Sequence, residues 1–283
     1  MTLPLKASLA VSAALIALGL GACAPKSSGS SKPERGGVAT LKSDGLTEAY
    51  RAYAIGQCNV LVTYTRAFAQ ALTAGNLDRA KRLYPSTRMA YERIEPIAEE
   101  LGNLDPDIDG REGDVPAAQW RGFHRIERIL WTGKEPETLP TYTTRLLDDV
   151  TLLRAKLDNV EITVSVLALG AVDLLNEVAT SKITGEEERY SHTDLYDFAA
   201  NVEGAREIFD LLEPQVKARD PALAATTEAN FQKVTQALDR YRKGSDYALY
   251  TSLTTADTKA LAQAVDALAD PLSGVAALLG ATK

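Results

Sequence analysis

Histidine and cysteine are nearly missing from this chain, which holds two of each in 283 residues. His124 and His192 lie far apart, so no His-Glu-x-x-His pair exists to seat a peptidase zinc beside a glutamate base. The same scarcity argues against a coupled di-iron bundle, which needs two Glu-x-x-His pairs from two helices. Nucleophile triads, phosphate-binding glycine loops and dinucleotide fingerprints are missing as well. Alternating polar–apolar runs bounded by turn residues are scarce, so no sheet is expected. The formal net charge is −7, which argues against nucleic acid and is compatible with cations as ligands.

The ends are written in a different composition from the middle. Met1 to Leu5 leads through Lys6 into an apolar run, Ala7 to Leu20, with the charged start and apolar centre of a secretory signal. The run is too short for a comfortable membrane span. It closes with Leu20-Gly21-Ala22-Cys23, which resembles a bacterial lipobox. Residues 1–23 are therefore expected to be a lipoprotein signal, with Cys23 acylated and the protein tethered rather than spanning. An ordinary signal cleaved near Ala22 or Ala24 is the alternative. Residues 24–45 are rich in Ser, Gly, Lys and Pro, the composition of a disordered linker. Residues 46–283 are then the folded domain. With Cys23 consumed, Cys58 has no disulfide partner, and its apolar helical context assigns it to the core.

Within that domain the periodicity is helical nearly throughout. Helices are expected over Thr47–Ala74, Leu77–Glu100 (kinked or split at Pro85 and Pro96), Pro116–Trp131, Tyr142–Asp158, Val160–Lys182, Asp194–Val216, Pro221–Lys243 and Thr255–Leu279. Gly75 stops the first, Asn76 caps the second, and Asp220 with Pro221 opens the one before last. Leu101–Val115 and Gly185–Ser191 read as loops. Long helices joined by short connections give an all-α bundle, and the helix count accommodates two bundle halves.

The chemistry concentrates in a few places. Gly122-Phe123-His124-Arg125-Ile126-Glu127 reads Gly-x-His-x-x-Glu, which puts an imidazole and a carboxylate on one helix face. Such a pair also arises by chance as a surface histidine with an ion partner. Here Phe123, Ile126, Leu130 and Trp131 supply a packed face, and His124 lies one position from it, so it can point inward. Upstream, Glu92, Glu95 and Glu99 share a face, either as a solvated charged face or as ligands. Pro96 distorts the helix there by removing a bond to the Glu92 carbonyl. Asp105, Asp107 and Asp109 alternate along a loop that lacks the spacing of an EF-hand, so most should serve as turn formers and caps. Glu177 and Asn176 are polar residues in an apolar helix, and a buried acid needs a partner. His192 and Asp194 are expected to cap the helix that follows. One imidazole with several carboxylates suits iron, ferric or ferrous, and less selectively manganese, calcium or zinc. Zinc, copper and calcium are expected to compete in vitro.

At these residues the chain resembles the imelysin-like family, and within it the EfeO and EfeM components of the Efe iron-uptake system. The matching blocks are Tyr84-Pro85-Ser86-Thr87-Arg88, Tyr91-Glu92-Arg93-Ile94-Glu95-Pro96, Ile108-Asp109, the Gly122–Glu127 motif with Leu130-Trp131, Leu174–Val178, Ser181–Glu187, Tyr190–Leu195 and Asn201–Ala205. The resemblance implies an all-α fold of two bundle-like halves around a metal-binding groove. It implies iron capture outside the cytoplasmic membrane, delivery to an EfeU-like permease and an EfeB-like haem peroxidase as a further partner. It places metal ligands on His124, Glu127, Glu92, Glu95, Asp109 and Glu177, and its matching stretch includes Glu186 and Glu187. Many EfeO proteins carry an N-terminal cupredoxin-like domain, whereas here the linker leads directly into helices, as in the shorter EfeM type. The peptidase label attached to imelysins does not fit the spelling of this chain, so no enzyme activity is expected. Some relatives bind acidic polysaccharide, which is the alternative reading.

Overall fold

The computed structural model describes residues 45–281, which are mostly helical, with one small hairpin and irregular connections. The expected signal, Cys23 and nearly all of the expected linker lie outside the described residues.

Helix α1, Leu46–Thr73, buries Tyr50, Ala54, Cys58, Leu61, Phe68 and Leu72, a stripe spaced by threes and fours that turns one face to the core. Asn76 caps α2, Leu77–Glu92, accepting a hydrogen bond from the Arg79 N–H at 3.1 Å. The helix is not split at Pro85: α2 runs through it unbroken, packed against α1. Pro96 alone interrupts. It sits in the first turn of a 3₁₀ segment, Glu95–Leu101, where its missing N–H costs least.

The expected loop at 101–115 contains a short helix, α3 (Leu104–Asp109), with Asp105 and Asp107 in its first turn, where acids suit the helix dipole. Helix α4 spans Phe123–Thr132 and starts seven residues later than the expected Pro116. Gly122 explains both its start and its place. Its φ is +88°, and a Cβ there would lie 2.2 Å from the Ile108 carbonyl oxygen. Only glycine lets the start of α4 press onto the end of α3, which brings His124 beside Asp109.

Helix α5 spans Leu139–Lys156 with Pro140 in its first turn. Helix α6, Val164–Thr180, is capped by Thr163, which accepts from the Val166 N–H at 3.1 Å. A 3₁₀ turn, Lys182–Thr184, follows in place of the expected last helical turn. Helix α7 spans Asp194–Arg219, and α8 spans Pro221–Asp239 with Asp220 as its cap, as expected. The chain does not continue helical to Lys243. Arg242–Lys243 and Asp246–Tyr247 pair antiparallel around Gly244, correcting the expectation of no sheet. Helix α9, Thr255–Leu278, opens with a capping box between Thr254 and Asp257.

The architecture is two packed halves. In the first, α1 packs on α2 and α5, while the short α3 and α4 lie against α5. In the second, α6, α9, α8 and α7 contact one another in a closed ring. The first half thus has three long helices and two short ones, the second four long ones. Packing of α2 on α7 joins the halves. The segment Val164–Thr184 is long and apolar enough to cross a membrane by composition, but α6 spends that surface on α7 and α9, burying Leu167, Ala171, Leu175 and Val178. A Cβ at Gly170 of α6 would meet the Pro96 carbonyl oxygen at 1.8 Å. That close approach lodges the break after Glu92 directly against α6.

Candidate metal centre

Five pieces of the chain deliver charged side chains to one point between the halves. They are the end of α2, the end of α3, the first turns of α4, the segment 182–191, and α7. His124 is 2% exposed. Its Nδ1 lies 3.3 Å from Glu127 Oε2, the partner expected at i+3 on one helix face. Its Nε2 lies 3.4 Å from Glu187 Oε1 and 3.6 Å from Asp109 Oδ1. Two triads of donor atoms result, Asp109–His124–Glu187 and His124–Glu127–Glu188, each with its atoms within 4.8 Å of one another.

The carboxylates are held in place. Glu127 Oε1 accepts hydrogen bonds from the backbone N–H groups of Tyr190 at 2.9 Å and Ser191 at 2.7 Å. Glu188 accepts from the Ser191 hydroxyl at 2.6 Å and the Tyr84 hydroxyl at 3.2 Å. Arg88, completely buried, stands among Glu92, Asp109, Glu188, Asp197 at 3.3 Å and Glu187 at 3.5 Å. Lys182 Nζ contacts both oxygens of Glu95 at 2.8 Å and Glu92 Oε2 at 3.1 Å. The Asn201 amide donates to Glu92 at 2.9 Å and to Glu95 at 2.7 Å.

The charges do not balance. Among the described residues six acids, Glu92, Glu127, Glu187, Glu188, Asp194 and Asp197, are buried beside three buried basic groups, Arg88, Lys182 and His124, with Arg111 reaching Glu187 from the edge at 2.9 Å. Asp109 and Glu95 add to the excess at the edge. Buried charge without a partner is costly, so protons fill the gap. Burial pushes Glu95, Glu188 and Asp197 well above the usual carboxylate range, and Asp109 and Asp194 up to about 6. Burial opposes ionisation of Glu187 too, but Lys182 and His124 hold it well below that range. Burial and Arg88 disfavour the His124 imidazolium, yet Glu127 and Glu187 carry it up to about 9.

These residues fit a cation. His124 Nε2 is a buried polar atom with no hydrogen-bond partner among the described residues, and it faces two carboxylates. The imidazole has a pair of carboxylates at each ring nitrogen, Asp109 and Glu187 at Nε2 and Glu127 and Glu188 at Nδ1, and either triad is a hard, oxygen-rich donor set of the kind iron accepts.

The imelysin family model matches residues 46–275. An EfeM/EfeO family lipoprotein of Staphylococcus haemolyticus is 46% identical over 256 residues, covering 89% of this chain and 88% of its own length. One from Staphylococcus aureus is 44% identical over 252 residues, covering 84% and 89%. The chain belongs to the imelysin family, in its EfeM/EfeO group. The solved structure of a protein described as an iron-regulated protein A precursor from Parabacteroides distasonis shares the fold, with a TM-score of 0.67 at 15% identity over 84% of this chain and 95% of that one.

Of the ligands expected in this imelysin, the fold brings together His124, Glu127 and Asp109. Glu92 and Glu95 stand one step away, bound to Lys182 and Asn201. Glu177 stays outside the cluster, with its side chain 39% exposed and 3.4 Å from Arg111. Asp194 lies in the first turn of α7 and accepts from the Glu188 N–H at 3.2 Å, while Thr193 takes the cap position; the expected capping by His192 and Asp194 is not found. His192 instead adopts a φ of +59°, and its carbonyl accepts from the Tyr250 N–H. Glu188, Arg88, Lys182 and Asn201 were not foreseen. Arg88 had a signal: it falls between Tyr84 and Tyr91 on the buried stripe of α2.

Proposed function

We propose that this imelysin is a lipid-anchored, extracytoplasmic iron-binding protein that captures iron and passes it to an EfeU-type permease, with an EfeB-type peroxidase as a further partner. Iron is cargo in this reading, and the protein is not a peptidase. The observation that carries it is the Nε2 of buried His124, which makes no close hydrogen bond and faces Glu187 at 3.4 Å and Asp109 at 3.6 Å in a pocket of excess negative charge. The names of its relatives support the anchor, and Cys23 stands at the end of the apolar leader, where such an anchor is attached. The chain has no second histidine four residues from His124, which speaks against peptidase chemistry of the His-Glu-x-x-His kind.

Titration of the apo-protein with ferric iron, ferrous iron, zinc and calcium tests this. Iron is expected to bind at one centre. His124→Ala should weaken it at least tenfold, about 1.4 kcal/mol, with helix content unchanged. Equal iron uptake by the unaltered and His124→Ala proteins would overturn the assignment.

A further inference from the structure

A cavity of about 560 Å³ opens between the 3₁₀ segment at 95–101 and α6. Its walls carry Glu95, Glu99, Glu100, Asp105, Asp173 and Glu177, and no lysine or arginine. A hollow lined by one sign of charge focuses the field and gathers ions of the other sign. Two of these acids continue inward, each through a basic side chain. Glu95 holds Lys182 at 2.8 Å, and Lys182 lies 3.9 Å from Glu187. Glu177 holds Arg111 at 3.4 Å, and Arg111 donates to Glu187 at 2.9 Å. Exposure falls along both lines. It runs from 39% at Glu177 through 23% at Arg111 to 2% at Glu187, and from 13% at Glu95 to 1% at Lys182. Both lines end on the carboxylate 3.4 Å from His124 Nε2.

We infer that this cavity is the vestibule through which the cation reaches and leaves His124, and that Arg111 and Lys182 are its two latches. The inference rests on the metal-binding reading of His124. The acids of the vestibule concentrate cations, and the two basic side chains occupy the inner carboxylates until a cation competes for them. As the ion binds Glu95 or Glu177, the latch loses that partner and can swing toward the one it keeps, Glu92 at 3.1 Å for Lys182 and Asp114 at 3.3 Å for Arg111, opening Glu187 to the ion. Arg111 is the outer latch, partly in water and placed on the segment between α3 and α4. Lys182 is the inner one, sealed from solvent.

The latch has a kinetic signature that plain electrostatics lacks. Removing a positive charge near a bound cation would by itself speed association and slow release. Removing a latch speeds both. The test is stopped-flow loading with zinc ion alone, followed by chelator-driven release, on the intact folded chain. In Arg111→Gln, association and release should each be roughly tenfold faster. Lys182→Gln should do the same, and if it does not fold, as judged by circular dichroism, Arg111→Gln decides. Ser165→Trp, at an exposed position on the cavity wall, should slow association without changing the number of zinc ions bound at equilibrium. Unchanged rates in Arg111→Gln, or faster association with slower release, would overturn the latch. Unchanged loading in Ser165→Trp would overturn the route. Equilibrium zinc binding by His124→Ala separates the premises. If binding needs His124 while these rates stay the same, only the vestibule is wrong; if it does not need His124, the metal centre itself is wrong.

Discussion

The backbone N–H of Ser191 donates to Glu127 Oε1 at 2.7 Å, joining two residues 64 apart in the chain. The bond fastens the segment bearing Glu187 and Glu188 to the helix bearing His124. Glu127 therefore has a structural duty besides any ligand duty. Glu127→Ala should leave two backbone donors unpaired and destabilise the protein by about 1–3 kcal/mol in denaturant melts. Amide exchange at Tyr190 and Ser191 should accelerate with it. Glu127→Gln, which keeps an acceptor oxygen, should restore most of the protection.

Arg88→Met should be the most damaging change at the site for the apo-protein. It strips the buried carboxylates of their central cation, and breaking a buried ion pair on one side costs about 3–5 kcal/mol. Zinc should recover part of the loss, since a ligand at a hundred times its dissociation constant stabilises by about 2.7 kcal/mol. Urea unfolding with and without zinc measures both effects. A variant as stable as the parent would mean that the cluster neutralises itself with protons alone.

Gly170→Ala tests the contact between α6 and the break in α2. The added Cβ would sit 1.8 Å from the Pro96 carbonyl, so backbone must move. Overpacking of this kind costs about 1–3 kcal/mol or more. Thermal melting should show the loss, and zinc binding should weaken as Glu92 and Glu95 shift with the displaced segment.

Cys58 should be inert. Its side chain is fully buried, and burial pushes the thiol up to about 12. Because the thiolate is the reactive form, iodoacetamide should fail to label the native protein at pH 8 and label it readily in denaturant. Labelling of the native state at neutral pH would show that α1 opens locally.

Much of the fold could be read from periodicity, because the long helices carry apolar stripes of the right spacing, a clear stop at Gly75 and clear starts at Asn76 and Asp220. The failures were local. Gly122 looks like a motif residue, yet its positive φ is what delays α4 until Phe123. The hairpin at 242–247 is too short to show alternation. At the centre, His124 and Glu127 were legible because helix geometry alone brings them together. Asp109 was reached only through the resemblance, since its arrival beside His124 depends on the close approach at Gly122. Glu188 was invisible because its inward direction is set by Ser191 in the same irregular turn and by Tyr84, 104 residues away in the chain. Lys182 and Asn201 were invisible for the same reason, having partners on α2 and in the segment after it.

The seam between α2 and α7 has a consequence for anyone who would cut this protein in two. Arg88 belongs to one half, while Asp197, Glu187 and Glu188 belong to the other. Lys182 is claimed across the same divide by Glu92 and Glu95. Severing the chain near residue 160 would strand ions of opposite sign on separate fragments, so neither piece is a freestanding module.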